Sequence, residues 1–245
     1  MRDFRPVFYI IGILLCIESI TMLIPMIVDL IFQNNDWLIF MFSSILTFFI
    51  GIILYFSFKN KKNKINLNQA FVLTVLSWIV IALFSSLPFI FSSSNLDFTN
   101  AFFESISGIT TTGATVITNL DNLPEGILIW RSFLQWFGGI GIIVLALAIL
   151  PTLQIGGMQI LHMEHDDPYE KTLPKIGQFV FEIFLIYLFV TIICAVFYFL
   201  AGMSSFDAVS HAMTTISTGG FSTHDSSFGS FNSASIEWIS VLFMI

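Results

Sequence analysis

NLDFTNAFFESISGITTTGATVIT, at positions 95–118, joins a short apolar stretch to a cluster of Thr and Gly that a helix interior does not favour. The apolar part is too short to cross a bilayer, and segments of roughly 10–14 mostly apolar residues between spans are candidates for re-entrant helices. SSFDAVSHAMTTISTGGFSTH, at 204–224, has the same organisation. The two align without a gap at an offset of 107 residues: Ala101 falls on Ala208, Ile109 on Ile216, Thr111 on Thr218 and Gly113 on Gly220. Asn100 with Asp207, Thr110 with Ser217 and Thr115 with Ser222 are close substitutes. The chain therefore contains an internal repeat. Each copy opens with short polar residues suited to accept from orphan helix amides, Asp97 in one and Ser205 with Asp207 in the other.

What surrounds the pair sets the fold class. Of 245 residues, 56% are hydrophobic and 10% charged, against roughly 25% charged in soluble chains. So few charges cannot cover an aqueous exterior, and the expected solvent is lipid. A span needs about 20 apolar residues, and 7–31, 37–58, 71–91, 127–150 and 179–200 qualify. A sixth apolar run starts at Ile236 and continues to the last residue, so the expectation is an all-α polytopic membrane protein of span/pore-loop/span repeats, truncated within the second repeat. The first run is too long for a cleavable signal and no small-residue cleavage site follows it.

Charge placement gives an orientation. Arg2 and Arg5 precede the first span, Lys59, Lys61, Lys62 and Lys64 separate the second from the third, and Lys171 and Lys175 separate the fourth from the fifth. Cytoplasmic loops accumulate Lys and Arg, so the N-terminus is expected in the cytoplasm. The opposite loops carry Asp36, Asp97, Glu104, Asp121, Glu125, Asp207, Asp225 and Glu237, a negative field that would attract cations. A formal charge of −7 argues against nucleic acid as a partner. Cys16 and Cys194 both lie in apolar runs, which argues against a disulfide or a cysteine metal site.

The chemistry follows from the repeated cluster. A half-helix that stops inside the membrane leaves carbonyls unpaired and partial negative charge at its end, and non-helical backbone at that depth must line water or be buried in protein. Thr110, Thr111, Thr112 and Gly113, and Ser217, Thr218, Gly219 and Gly220, offer neutral oxygens and a backbone that Gly can turn toward one axis. A ring of such oxygens replaces the water shell of a large monovalent cation, whereas divalent ions recruit carboxylates, and none lies in either cluster.

ESISGITTTGAT, LQWFGGIGIIVLALAILP, the IGGMQ that follows and GGFSTHDSSFGSFNS resemble the TrkH branch of the Trk/Ktr/HKT potassium-uptake superfamily over nearly the whole chain. The resemblance implies four span/pore-loop/span repeats around one pore, preceded by an extra helix pair. On that pattern 1–66 is the extra transmembrane hairpin, 67–157 the first repeat, 158–173 a cytoplasmic loop and 174–245 an incomplete second repeat. It also implies potassium uptake across a bacterial inner membrane through a filter to which Thr110–Gly113 and Ser217–Gly220 contribute. Gly113 and Gly220 stand where Gly accompanies potassium preference. Implied partners are K+, the lipid bilayer, a second copy in a homodimer and a cytosolic nucleotide-binding regulatory subunit docked on the LHMEHDDPYE loop. K+ is the transported ion, and no cofactor or enzymatic activity is expected. Repeats three and four are absent from the sequence, so this chain alone is not expected to conduct.

Several further residues carry competing readings. Glu18, midway along the first span, is read as a structural hydrogen bond or a partner across the extra hairpin rather than an ion-coupling group; Glu182 is placed near the cytoplasmic end of its span. Arg131, beside Trp130, is read as an interfacial anchor or partner of Glu104 or Glu125, with electrostatic tuning of the pore by Arg131 and Glu104 as the alternative. Gly138, Gly139 and Gly141 are read as permitting close packing rather than as a hinge. His162 and His165 have metal-like spacing but no third ligand, and Asp207, His211 and His224 lack the nucleophile a catalytic set needs. The alternatives to a pore are a coupled secondary cation transporter with broken helices, which predicts inverted repeats where these are parallel, and a membrane scaffold or enzyme, for which no convergent constellation is present.

Overall fold

In hydrocarbon every backbone N–H and C=O must find a partner within the chain, so a spanning segment is a helix. The computed structural model describes residues 4–59, 67–149 and 172–245, and among these the regular structure is helical throughout. Ten α-helices follow in order among the described residues: α1 (Arg5–Thr21), α2 (Leu23–Phe32), α3 (Trp37–Phe58), α4 (Leu67–Ser85), α5 (Leu87–Phe91), α6 (Phe98–Ile109), α7 (Glu125–Ile149), α8 (Thr172–Leu200), α9 (Ser205–Ile216) and α10 (Ala234–Met244). Arg2, Lys61, Lys62, Lys64, Lys171, the IGGMQ segment, the pair His162 and His165, and most of the 158–173 loop lie outside the described residues.

Five described segments are long and apolar enough to cross a membrane: Arg5–Phe32, Trp37–Phe58, Asn68–Phe91, Glu125–Ile143 and Val180–Leu200. They coincide with the five runs read from the sequence. Two are interrupted close to a proline. Pro25 supplies no N–H for the Thr21 carbonyl and breaks the first span at Met22; Pro88 does the same to Phe84 and breaks the third at Ser86. α6 and α9 have 12 residues each, about 18 Å of helix against roughly 30 Å of hydrocarbon. They are the re-entrant half-helices expected. α10 begins at Ala234, two residues before the expected start at Ile236.

The fourth span, α7, is the centre of the assembly. In its spanning window 67% of the residues are buried, against 17–39% in the other four, because α7 packs on both half-helices, α6 and α9, as well as on α2. Trp130, Phe133, Leu134 and Trp136 of α7 form the main core with Met22, Phe40 and Phe89. α1 and α3 pair closely into the N-terminal hairpin, where a Cβ at Gly12 would meet the Tyr55 amide nitrogen and the Gly51 carbonyl. Small residues thus bring two backbones together where lipid gives no hydrophobic drive. The Ser44 hydroxyl donates to the Ser19 carbonyl across the same seam (2.7 Å).

Candidate functional site

The two half-helices end in the same way, atom for atom, at the 107-residue offset. Thr111 N–H donates to the Gly108 carbonyl (2.9 Å) and Thr112 N–H to Ser107 (2.9 Å); Thr218 N–H donates to Thr215 (2.9 Å) and Gly219 N–H to Thr214 (2.8 Å). This pair of bonds is a Schellman closure. The expectation of unpaired carbonyls at the helix ends is therefore corrected: most are taken up by the chain's own amides, and what remains is the dipole. The closure requires the left-handed region at its turning residue, usually Gly, yet here it is Thr111 (φ 56°) and Thr218 (φ 51°). A β-branched side chain is strained there, and strain of about 1–3 kcal/mol persists only where the surroundings impose it. Gly113 (φ 77°) and Gly220 (φ 85°) follow with positive φ, also at matching positions.

Beyond the turn, the segment that follows each half-helix is tied back to it through one hydroxyl. Thr115 donates to the Glu104 carboxylate (2.9 Å) and accepts from Ile117 N–H (3.1 Å). At the matching positions Ser222 bonds Nε2 of His211 (3.0 Å) and accepts from His224 N–H (3.1 Å). Nδ1 of His211 lies 2.9 Å from the Asp207 carbonyl, which can only accept, so Nδ1 carries the proton and Nε2 accepts from Ser222. Burial holds His211 below its ordinary pKa, in keeping with that neutral tautomer. Glu104 and His211 are thus equivalent anchors of different chemistry. The 107-residue offset of His211 from Glu104 is the sequence signal that marks this equivalence.

One face of α7 runs behind both of these segments. Arg131 is 1% exposed. Its Nε meets the Glu104 carboxylate (2.8 Å), Nη1 the Ser222 carbonyl (2.8 Å) and Nη2 the Thr115 hydroxyl (3.1 Å), while the guanidinium lies 4.2 Å over the Phe221 ring. The reading of Arg131 as an interfacial anchor is corrected: it is a buried cross-brace between the loops, paired with Glu104 and not with Glu125, which instead accepts from Asn34 (2.6 Å). One turn further, Gln135 Oε1 accepts Phe221 N–H (3.0 Å). Next come Gly138, where a Cβ would strike the Ile109 carbonyl, and Gly139, where it would meet Tyr187 and Ser217. These two glycines serve packing, as expected; at Gly141 the nearest neighbour is Trp78 at 3.7 Å, ordinary contact. Gln135 escaped the sequence reading, although a polar residue four after Arg131 on an apolar helix is a same-face signal.

The structure brings the candidate residues of the two loops together. A Cβ at Gly113 would collide with the Gly219 carbonyl oxygen, so Gly is required there by its neighbour as well as by φ. Thr112, Thr218 and Gly220 are exposed, while Ser217 and Gly219 are buried against α7. One helix start falls where expected, with Asp97 at the N-cap position of α6; the other is shifted by one residue. Ser204, not Ser205, caps α9, accepting Asp207 N–H (3.0 Å), and Asp97 makes no cap bond but accepts from the Asn100 side chain (2.5 Å).

Several of the carboxylates expected on the outer loops are engaged within the fold. Asp36 accepts from Ser93 N–H and hydroxyl (2.9 and 2.7 Å) and Asp207 from the Thr223 hydroxyl (2.7 Å). Asp121 accepts from His224 Nδ1 (2.5 Å), and that bond holds its carboxyl below the ordinary range. Glu18 accepts the Ser85 hydroxyl (2.6 Å), a structural bond to the third span and not across the hairpin. Glu182 is exposed. Both cysteines are free, and among the described residues no group of three His, Cys, Asp or Glu is placed to hold a metal.

Among the described residues, five helices long and apolar enough to span, two short half-helices and twin glycine-bearing turns define a polytopic membrane protein of the span/pore-loop/span class. Residues 38–245 match the TrkH family, described as cation transport protein, and the chain belongs to that family. It is 46% identical over 246 residues to the Trk system potassium uptake protein TrkH of Vibrio parahaemolyticus, covering 99% of this chain and 51% of that one. It is 44% identical to the protein of the same name from Escherichia coli K12, again over 99% and 51%. The crystal structure of the potassium transporter TrkH from Vibrio parahaemolyticus superposes with a TM-score of 0.88 at 44% identity, over 99% of this chain and 49% of that one. The chain spans about half the length of the relatives it matches.

Proposed function

We propose that this chain supplies two pore loops of a potassium-uptake pathway in a bacterial inner membrane. The observation that carries the reading is the repeated turn: two loops with the same Schellman closure, the same strained Thr and the same positive-φ Gly, 107 residues apart and in contact at Gly113 and Gly219. Thr110, Thr111, Thr112 and Gly113 with Ser217, Thr218, Gly219 and Gly220 are the filter contribution. Arg131 and Glu104 hold it and set its local charge. The relatives named above as potassium uptake proteins and a potassium transporter support K+ as the ion.

In this reading 1–66 is an accessory hairpin, 67–157 and 174–245 are two repeats of one pore, and 158–173 is a cytoplasmic connection where a cytosolic nucleotide-binding subunit docks and gates. The basic loops support a cytoplasmic N-terminus, and the family resemblance supports assembly as a homodimer. Neutral oxygens at the turn replace the first hydration shell of K+, and the half-helix dipoles favour a cation at their C-terminal ends.

The test is growth of an uptake-deficient bacterium at limiting potassium with the complete gene that encodes this chain, alongside uptake of radioactive Rb+. Rescue with Rb+ uptake above background is expected. A membrane-inserted product that neither rescues nor takes up Rb+ refutes the reading.

A further inference from the structure

Gln135 is fully buried on α7, faces both pore loops, and donates nothing: Nε2 has no hydrogen-bond partner, while Oε1 accepts Phe221 N–H at 3.0 Å. A polar side chain placed in an apolar helix for stability alone would be expected to use its donors as well. The peptide joining Gly220 to Phe221 is planar and trans, as are all those described. In a trans peptide the N–H and C=O point in opposite directions. Drawing Phe221 N–H toward α7 therefore turns the Gly220 carbonyl away from α7. Gly220 itself is exposed, and a Cβ added at it would meet nothing within 4 Å. Gly219 has no side chain to hold the amide off, and a Cβ there would collide with Gln135 Cδ, Oε1 and Nε2. The amide thus lies flat on the Gly219 backbone.

From this we infer that Gln135 is a positioning residue of the ion pathway: its side-chain oxygen sets the orientation of the Gly220 carbonyl, and through it the discrimination between monovalent cations. The inference rests on the proposed function, because it gives that carbonyl a cation to meet. Its structural half stands apart from it. Arg131, one turn away, takes the Ser222 carbonyl at 2.8 Å, so the peptides on either side of the one joining Phe221 to Ser222 are both held to α7, the first by its N–H and the second by its C=O.

The test compares Gln135→Leu and Gln135→Glu in the complete gene product. Leu removes the unpartnered Nε2 and leaves Phe221 N–H without an acceptor, a loss confined to that hydrogen bond; Glu keeps an acceptor oxygen. Hydrogen exchange across 219–224 and inhibition of Rb+ uptake by Na+ are measured for each. In the Leu variant exchange rises on the order of tenfold and discrimination against Na+ falls by a similar factor, and the Glu variant restores most of both. Wild-type exchange and wild-type discrimination in the Leu variant overturn the inference. So do equal losses in both variants accompanied by reduced thermal stability, the mark of a purely structural residue. Absence of Rb+ uptake in the parent protein refutes the proposed function instead, and the exchange measurement then still decides whether Gln135 orients the segment.

Discussion

The pair Arg131 and Glu104 places two charges where each is at most 1% exposed. A guanidinium cannot shed its proton, so losing its counterion leaves a permanent buried charge, whose cost is about 3–5 kcal/mol. Glu104→Gln should therefore lower thermal stability strongly. Adding Arg131→Met should restore part of it, since the amide oxygen introduced at position 104 can still accept from the Thr115 hydroxyl and Val116 N–H as the Glu104 carboxylate does now. A double variant less stable than Glu104→Gln alone, by thermal unfolding in detergent, would refute the pairing. His211 titrates oppositely from a partner-stabilised histidine. Burial depresses its folded pKa, so its contribution is fully present above the unfolded value, near pH 6.5, and is lost as pH falls below that toward the folded value. Hydrogen exchange in 217–224 should rise in the parent as pH falls below about 6.5, and the rise should flatten in His211→Gln. An unchanged pH profile in that variant would assign the loosening to another group.

At the scale of elements, α7 works as a spine because three successive levels on one face each meet a different part of the loops. Gly138→Ala would drive a Cβ into the Ile109 carbonyl, a backbone atom that cannot swing aside, whereas Gly141→Ala finds Trp78 at ordinary distance. Overpacking of this kind costs about 1–3 kcal/mol, so Gly138→Ala should unfold at lower temperature and Gly141→Ala near the parent value; similar melting temperatures for the two would show that α7 tolerates displacement. The spans and the half-helices are legible in the sequence because the bilayer imposes their length, and the repeat because its turn chemistry recurs at one offset. Where Arg131 and Gln135 point is not, since their partners Ser222 and Phe221 lie 91 and 86 residues away and hydropathy carries no facing information across such separations. The cap of α9 lies one residue from its expected place because Ser204 and Ser205 are the same amino acid, and only backbone geometry separates them. Glu18 is the hydrogen-bonded group its position implies, but its neighbour is not on the hairpin, for the break at Ser86 exposes Ser85 to it and to the Trp130 indole, which donates to the Ser85 carbonyl (3.1 Å).

Across the whole molecule, the scarcity of charge has a second consequence. Several of the few acids the chain carries join parts of it that lie far apart in sequence. Asp29 is the clearest case. It comes from the N-terminal hairpin, is fully buried, and accepts Gly126 N–H at 2.7 Å where α7 begins, so that hairpin caps the central helix from a distant part of the chain. Asn34 bridges it to Glu125 (3.1 and 2.6 Å), and Asp36 holds Ser93. The hairpin is then part of what fixes the height and tilt of α7, and with it the Arg131 and Gln135 contacts to both loops. Loss of a capping acceptor costs about 0.5–2 kcal/mol, and the helix dipole adds to it when the acceptor is charged. Asp29→Leu should accordingly lower stability toward the upper end of that range and Asp29→Asn by less, because the amide oxygen still accepts. The distinguishing readout is where hydrogen exchange rises. Faster exchange at 125–128 and across 219–224 is expected from a cap that positions α7; faster exchange confined to 23–36 would mean that Asp29 serves the hairpin alone and that the loops are set without it.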